Sequence, residues 1–220
     1  NYSQRSLSNV LLDGKHVLGD NKFEIVWKLS PTISKMNDPD IRFTRYVVRD
    51  DGATEIGTES GFPIRNWREL EETNLASVLH LTNNFDLSGR KSKLKIGGAY
   101  TYKERNFEII NFNINPRGDL SLTGDPNELF TEQNLWPYEG DNFSGITYDP
   151  GFIPTNPSKF DANVNYSAAY VSAELPLLEQ LKLITGLRYE NFVQNYTGQN
   201  QLGTKVLDND EVINDSKLFP

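Results

Sequence analysis

Residues 160–170 read Phe160-Asp161-Ala162-Asn163-Val164-Asn165-Tyr166-Ser167-Ala168-Ala169-Tyr170, and this stretch decides the fold class. Phe160, Ala162, Val164, Tyr166, Ala168 and Tyr170 fall on one face at period two. Asp161, Asn163, Asn165, Ser167 and Ala169 fall on the other. A helix would scatter both sets around its circumference, whereas a strand separates them. The segment that follows repeats the design, with Leu181, Leu183, Thr185, Leu187 and Tyr189 set against Lys182, Ile184, Gly186, Arg188 and Glu190. Pro176-Leu177-Leu178-Glu179-Gln180 lies between them and is short enough for a hairpin turn.

Working outward, Leu94, Ile96, Gly98, Tyr100 and Tyr102 alternate with Lys93, Lys95, Gly97, Ala99, Thr101 and Lys103. The turn-rich run Asp86-Leu87-Ser88-Gly89-Arg90 joins them to Asn74–Phe85. Phe23, Ile25, Trp27 and Leu29 alternate with Glu24, Val26, Lys28 and Ser30, and Gly19-Asp20-Asn21 ties that strand to residues 5–18. In residues 5–18 the alternation is poor, because Val10, Leu11 and Leu12 run together. The reading is an all-β, antiparallel up-and-down meander, with Phe160–Leu175 paired to Leu181–Tyr196 and Asn74–Phe85 paired to Ser92–Asn106.

Short turns near 19–22, 86–91 and 176–180 alternate with long polar links near 36–66, 111–159 and 198–215. All tight turns therefore fall on one rim and all long links on the other. A large transmembrane β-barrel is built this way, with short periplasmic turns, long extracellular loops and apolar-out strands. On that reading Tyr166, Tyr170, Leu183, Leu187, Tyr189, Leu94, Ile96 and Tyr100 are expected on the lipid side. Lys95, Lys103, Arg188 and Glu190 are expected in the lumen. A soluble all-β sandwich, such as a lectin-like ligand-binding module, alternates too. Against it stand the loop asymmetry and strands longer than the five or six residues usual in soluble sheets.

The 220 residues carry a net charge of -8, no cysteine and one methionine. Phosphate binding needs clustered Lys and Arg, so the acidic balance argues against nucleic acid. Without cysteine there is no disulfide framework and no thiolate metal site. No apolar run reaches the roughly 18 residues of a membrane helix. The chain opens and closes inside what read as strands, so a segment of a larger barrel is expected, with about six strands and the start of a seventh.

Several short stretches together resemble the β-barrel of TonB-dependent outer-membrane receptors, especially the Bacteroidetes type. Leu183-Ile184-Thr185-Gly186-Leu187-Arg188-Tyr189-Glu190 is similar to that family's Gly-Leu-Arg-Tyr-Glu strand, and Ala168–Glu174 to the strand before it. Asp215-Ser216-Lys217-Leu218-Phe219-Pro220 resembles the start of the family's next strand. Upstream, Gly14–Gly19, Trp27–Ser30 and Asp38-Pro39-Asp40-Ile41-Arg42 are similar to a Gly-x-His-x-Leu hairpin and a Glu-Pro-Asp-x-Arg loop start, with Asp38 in place of Glu. Leu94–Tyr100 is similar to another barrel strand. The resemblance implies a barrel of about 22 strands in the outer membrane of a Gram-negative cell. It also implies import of a solute, outer-membrane lipid around the wall, and coupling to the TonB complex through a plug domain that these residues do not include.

Catalytic patterns are missing. His16 and His80 lie far apart, and no His-Glu-x-x-His, Gly-x-Ser-x-Gly or Gly-x-x-x-x-Gly-Lys motif occurs. The acid pairs Glu71 with Glu72, Asp50 with Asp51 and Glu174 with Glu190 could suggest glycoside hydrolysis. Neighbouring strand residues point to opposite faces, however, and solvated or lumen-facing acids are the plainer account. Asp208-Asn209-Asp210-Glu211 offers oxygens for calcium but fails the EF-hand pattern. The expectation is a chain that is not an enzyme and holds no cofactor and no metal. Recognition is placed in residues 116–159, whose Trp136, Tyr138, Phe143 and Tyr148 are the candidate solute contacts, with Phe130 and Phe152 nearby. Aromatic faces can stack on flat or apolar ligand surfaces while polar neighbours set orientation. The competing account is that these rings pack the loop upon itself.

Overall fold

A computed structural model describes residues 2–52, 54–56, 61–118, 125–136, 144–151, 156–200, 202 and 205–220. Eleven strands are found among them: β1 (Gln4–Asn9), β2 (Leu12–Leu18), β3 (Phe23–Phe43), β4 (Tyr46–Val48), β5 (Thr54–Ile56), β6 (Ile64–Leu87), β7 (Arg90–Arg117), β8 (Gly145–Pro150), β9 (Lys159–Leu178), β10 (Leu181–Gln199) and β11 (Val206–Phe219). The main sheet runs β1-β3-β6-β7-β9-β10-β11, with β2 also on β3 and β8 on β7, while β4 and β5 form a separate hairpin. The order is that of the chain, so the sheet is a meander.

The turns explain why. Ser88 and Gly89 connect β6 to β7 with φ values of 52° and 77°, the positive pair that matches strand twist in a two-residue hairpin. Gly19, Asp20 and Asn21 are likewise left-handed at 61°, 54° and 70°, a conformation that Gly, Asn and Asp tolerate best. Glu179 and Gln180 alone separate β9 from β10, and a bulge follows at once: Leu181 opposes Leu178 but Lys182 opposes Pro176, so Leu177 is the extra residue.

The irregular run at Val10–Leu12 has a cause in the partner strand. β1 and β2 are one rung interrupted at Val10 and Leu11, opposite Pro31, which has no N–H to donate. The Val10 N–H still reaches the Pro31 carbonyl at 3.0 Å, and the Asn9 amide donates to Ser30 Oγ and Thr32 Oγ1 at 2.8 and 2.6 Å.

Three expectations need correction. The strands run further than the apolar pattern does, so the links expected at 36–66, 111–159 and 198–215 lie at 44–63, 118–158 and 200–205. Backbone pairing continues where side chains are polar on both faces, which hydrophobic periodicity cannot register. The third link is consequently short, and β11 is a full strand of 14 residues rather than a start at Asp215. The third correction concerns a face. Directly opposed residues in an antiparallel pair share a side, and Tyr170 opposes Arg188 while Tyr166 opposes Phe192. Tyr166 and Tyr170 therefore sit with Arg188 and Glu190 in the lumen. Leu183, Leu187 and Tyr189 face out with Leu175, Val171 and Ala169.

Contacts across strands agree with that assignment. Arg188 Nη2 donates to the Tyr166 hydroxyl at 3.0 Å. The Tyr170 hydroxyl and His80 Nδ1 share a hydrogen bond of 2.7 Å, and Lys95 Nζ lies 6.0 Å from the Tyr170 ring centre. Gly97 is required beneath that pair, since a Cβ there would come within 2.5 Å of Tyr170 and 2.7 Å of His80. On the outward side Trp27 donates to His16 Nε2 at 3.2 Å and covers Gly14.

The chain divides into two compact units. One comprises Asn1–Arg5, Met36–Glu69 and Glu108–Lys159; the other comprises Ser6–Lys35, Leu70–Phe107 and Phe160–Pro220. The second unit is wall, and its outward leucines are open: Leu79 is 55% and Leu187 is 54% exposed. Among the described apolar residues only Pro63, Ile114, Leu129, Ile146 and Ala168 have buried side chains. A soluble sandwich of this length would bury a far larger core, whereas a wall facing lipid needs none.

Arg at mid-membrane on the lipid face costs about 2–4 kcal/mol. Val171→Arg and Leu187→Arg should therefore block assembly of the full-length protein. Glu at adjacent positions separates the faces: Tyr170→Glu, flanked by Lys95 and Arg188, should assemble, and Val171→Glu should not. Heat-modifiable gel mobility reads this, and the reverse order for the two Glu variants would refute the register.

Candidate functional site

The outward apolar series of β3 ends at Ile33, and the strand then changes character to Asp38-Pro39-Asp40-Ile41-Arg42. These residues belong to the unit that also holds the links. Its centre is a small core in which Ile114, Leu129 and Ile146 are fully buried and Ile56, Phe130 and Tyr148 pack around them. The pieces arrive by separate devices. β8 pairs with β7, placing Tyr148 opposite Ile114 and Ile146 opposite Pro116. A 3-10 turn over Pro126–Phe130 delivers Leu129 and Phe130. Asp125 caps that turn by accepting from the Asn127 N–H at 2.9 Å, and Pro126 loses nothing at the first position.

Beside this core stands a charged cluster. Asp40 Oδ1 accepts from Arg65 Nε at 2.8 Å, and Oδ2 accepts from Arg65 Nη2 at 3.1 Å and from Arg42 Nε at 2.9 Å. Arg65 also donates to the Tyr148 hydroxyl at 3.2 Å. Aromatic rings enclose the guanidinium, with Trp67, Phe130 and Tyr148 centred 4.9, 5.8 and 5.9 Å from it. Phe112 joins Trp67 and Tyr148 edge to face at 5.8 and 6.0 Å. Arg42 lies 4.6 Å from the Phe130 ring centre. Each such cation–ring contact contributes about 0.5–2 kcal/mol, depending on desolvation.

Burial alone would raise the Asp40 carboxyl, but the hydrogen bonds and charges of Arg42 and Arg65 outweigh it and hold the group down at about 2. The neighbouring buried Asp38 accepts from Arg68 Nε at 2.7 Å. Its carboxyl is held low by hydrogen bonds from Ser3 and Arg68.

The candidate contacts separate in this frame. Tyr148 is spent on Arg65 and on the core, and Phe130 on the core and Arg42, so these two rings pack the loop upon itself. Trp136 differs: its N–H donates to the Ile146 carbonyl at 2.9 Å, its ring centre lies 5.1 Å from the Arg117 guanidinium, and it remains 41% exposed. Gly145 permits this approach, since a Cβ there would meet the Trp136 backbone at 2.7 Å. Tyr138, Phe143 and Phe152 lie outside the described residues.

Sequence reasoning passed over Asp40, Arg42, Arg65 and Trp67 as a cluster. The Asp-x-Arg spacing was visible, but Arg65 comes from a different strand, and only pairing brings the two together. The other candidates disperse. Asp208–Glu211 lie within β11, where the register is irregular; Asp210 opposes Tyr196 and pairs with Lys205, and the Asn209 N–H donates to Thr197 Oγ1. Glu72 binds Arg105 and Lys103, while Glu174 binds Lys182 and Glu190 binds Arg188. Among the described residues no cluster of three or more His, Asp or Glu side chains could hold a metal ion.

A protein-family model for TonB-dependent receptor-like β-barrels matches residues 15–220. No curated protein matches the chain.

The depressed Asp40 carboxyl gives the loop cluster a stabilising contribution that is fully present above pH 4 and is lost as pH falls through about 2. Asp40→Asn should reproduce the acid form at neutral pH. Removing the charge that two arginines share costs about 1–3 kcal/mol. Trypsin should then cut this loop of the full-length receptor roughly tenfold faster, and an unchanged rate would show that the cluster does not hold the loop.

Proposed function

We propose a transport role from one premise: this chain belongs to the family of TonB-dependent receptor-like β-barrels. It is an all-β antiparallel component of a barrel in the outer membrane of a Gram-negative cell, within a family of transporters rather than enzymes. The match gives the receptor-like β-barrel family and not the Bacteroidetes type within it. The proposal is that the chain forms part of the wall and loops of a receptor that binds a solute outside the cell and imports it, with energy delivered by the TonB complex through a plug domain.

The single observation behind the loop role is the contrast between Trp136 and its neighbours. Phe130 and Tyr148 are committed to the loop's own packing, whereas Trp136 is fixed by its backbone and by Arg117 and keeps an open ring face. A rigid aromatic held by its scaffold loses little entropy on binding, which is what a contact residue needs. Tyr138 and Phe143 belong to the same proposal by their place in sequence, seven residues or fewer from Trp136. Tyr148 acts through Arg65 as a positioning residue.

These 220 residues contribute no cysteine of their own, so in a full-length receptor freed of any other thiol a single introduced one reads the topology. Glu132→Cys, in the loop, should react with a membrane-impermeant maleimide on intact cells. Glu179→Cys, in the β9–β10 turn, should react only after the outer membrane is opened. The opposite labelling would overturn the orientation. Trp136→Ala should weaken solute uptake about tenfold or more, with unchanged heat-modifiable mobility.

A further inference from the structure

The corrected register of β9 and β10 exposes an inversion. At Tyr196, about 15 residues beyond the start of β10, the strand has risen about 35 Å along the membrane normal at a 45° tilt, past an apolar band about 25 Å tall. There the outward residues are amides: Asn163 opposes Asn195 and accepts from it at 3.1 Å. The inward residues are rings. Phe160 lies between Phe107 and Tyr196, with centroids 5.2 and 5.4 Å apart and ring planes inclined by 34° and 23°. Phe192 and Tyr166 oppose each other two steps along the same face, past Gln194 and Val164.

A barrel lumen is ordinarily polar, and a half-buried aromatic row on that side leaves apolar surface facing water. The charges at its border are already neutralised, Arg188 by Glu190 and Arg105 by Glu72. The wall therefore offers ring surface and the Gln194 amide, and the acids opposite Tyr196 and Phe192 are paired as well, Asp210 with Lys205 and Asp215 with Lys217.

We propose that this inverted stretch is a binding wall for an uncharged, ring-bearing solute, of which a pyranose chain is the simplest kind. The apolar faces of such rings would lie along Phe107, Phe160 and Tyr196, and their hydroxyls would reach Gln194 and the Tyr166 oxygen. Charge complementarity selects the occupant: a polyanion would gain nothing from paired arginines and would meet Asp210 and Asp215 beside the rings. The inference rests on the transporter reading and names the solute class that reading leaves open.

The test uses the full-length receptor in detergent, titrated calorimetrically with cellohexaose and maltohexaose, and with an oligogalacturonate as the charged comparator. A neutral hexaose should bind more tightly than the oligogalacturonate. Phe160→Ala and Tyr196→Ala should each weaken that binding about tenfold or more, and Tyr196→Phe should retain it. Phe160→Leu replaces the alanine variant if that one fails to assemble, and should show the same loss. Binding of neither neutral hexaose, preference for the charged comparator, or unchanged affinity in the ring variants would each overturn the proposal. The last result would mean that another part of the protein covers the wall. The cysteine labelling described above judges the transporter reading separately, because it depends on topology and not on solute chemistry.

Discussion

Everything in the wall depends on the register between β9 and β10. A strand's side chains alternate with a period of two, so one paired residue assigns every other to a side. Arg188 opposite Tyr170 is such a pair. Once it is fixed, Val171, Ala173 and Leu175 must join Leu187, Thr185 and Leu183 outside, and Tyr166 must meet Arg188 inside. The two-residue turn at Glu179 and Gln180 and the bulge after it set that register locally. The same two-residue turn without the bulge would set Lys182 opposite Leu177 and exchange the faces of one strand relative to the other along the whole hairpin.

This explains what was legible in the sequence and what was not. Alternation in Phe160–Tyr170 and Leu181–Glu190 identified strands, and turn chemistry at Gly19–Asn21 and Ser88–Gly89 identified hairpins, because both signals are local. The face of β9 was not legible. Its apolar set looked like a lipid surface by composition, yet a membrane wall can present small or polar residues outward near its ends and aromatic ones inward. Only the partner strand decides. Strand length was hidden for a related reason: Asp208–Glu211 and Asp38–Arg42 lack an apolar face, but their backbones still pair or enter loop clusters. The ring around Arg65 required residues from β3, β6, β7 and β8 together, which no spacing in a single segment encodes.

The two units are stabilised by different means. In the wall the ladder satisfies the backbone groups, and the outward side chains find their apolar environment in lipid, so Leu79 and Leu187 can stay open without cost in the membrane. The link unit has no such solvent. It buries Ile114, Leu129 and Ile146 completely and adds a partly enclosed carboxylate held by two arginines that lie against three rings. Such a cluster trades Coulomb attraction against desolvation and is stabilising only when the geometry satisfies every partner. Here Arg65 reaches both Asp40 oxygens and Tyr148.

That difference bears on which side chains can be exchanged without losing the fold. Residues that pack the link unit, such as Leu129 or Tyr148, are coupled to one another, and altering one disturbs several partners. Trp136 and the row Phe107–Phe160–Tyr196 are less constrained. Trp136 is anchored through its backbone N–H, and the row stands on strands whose register is set elsewhere, at the turns and bulges. A side chain can be exchanged at these positions while the hydrogen-bonded ladder that carries it stays the same. On the proposed transport reading, specificity would vary on the inner wall and at the open ring of the loop, while Asp40, Arg65 and the β9–β10 register hold the frame that carries both.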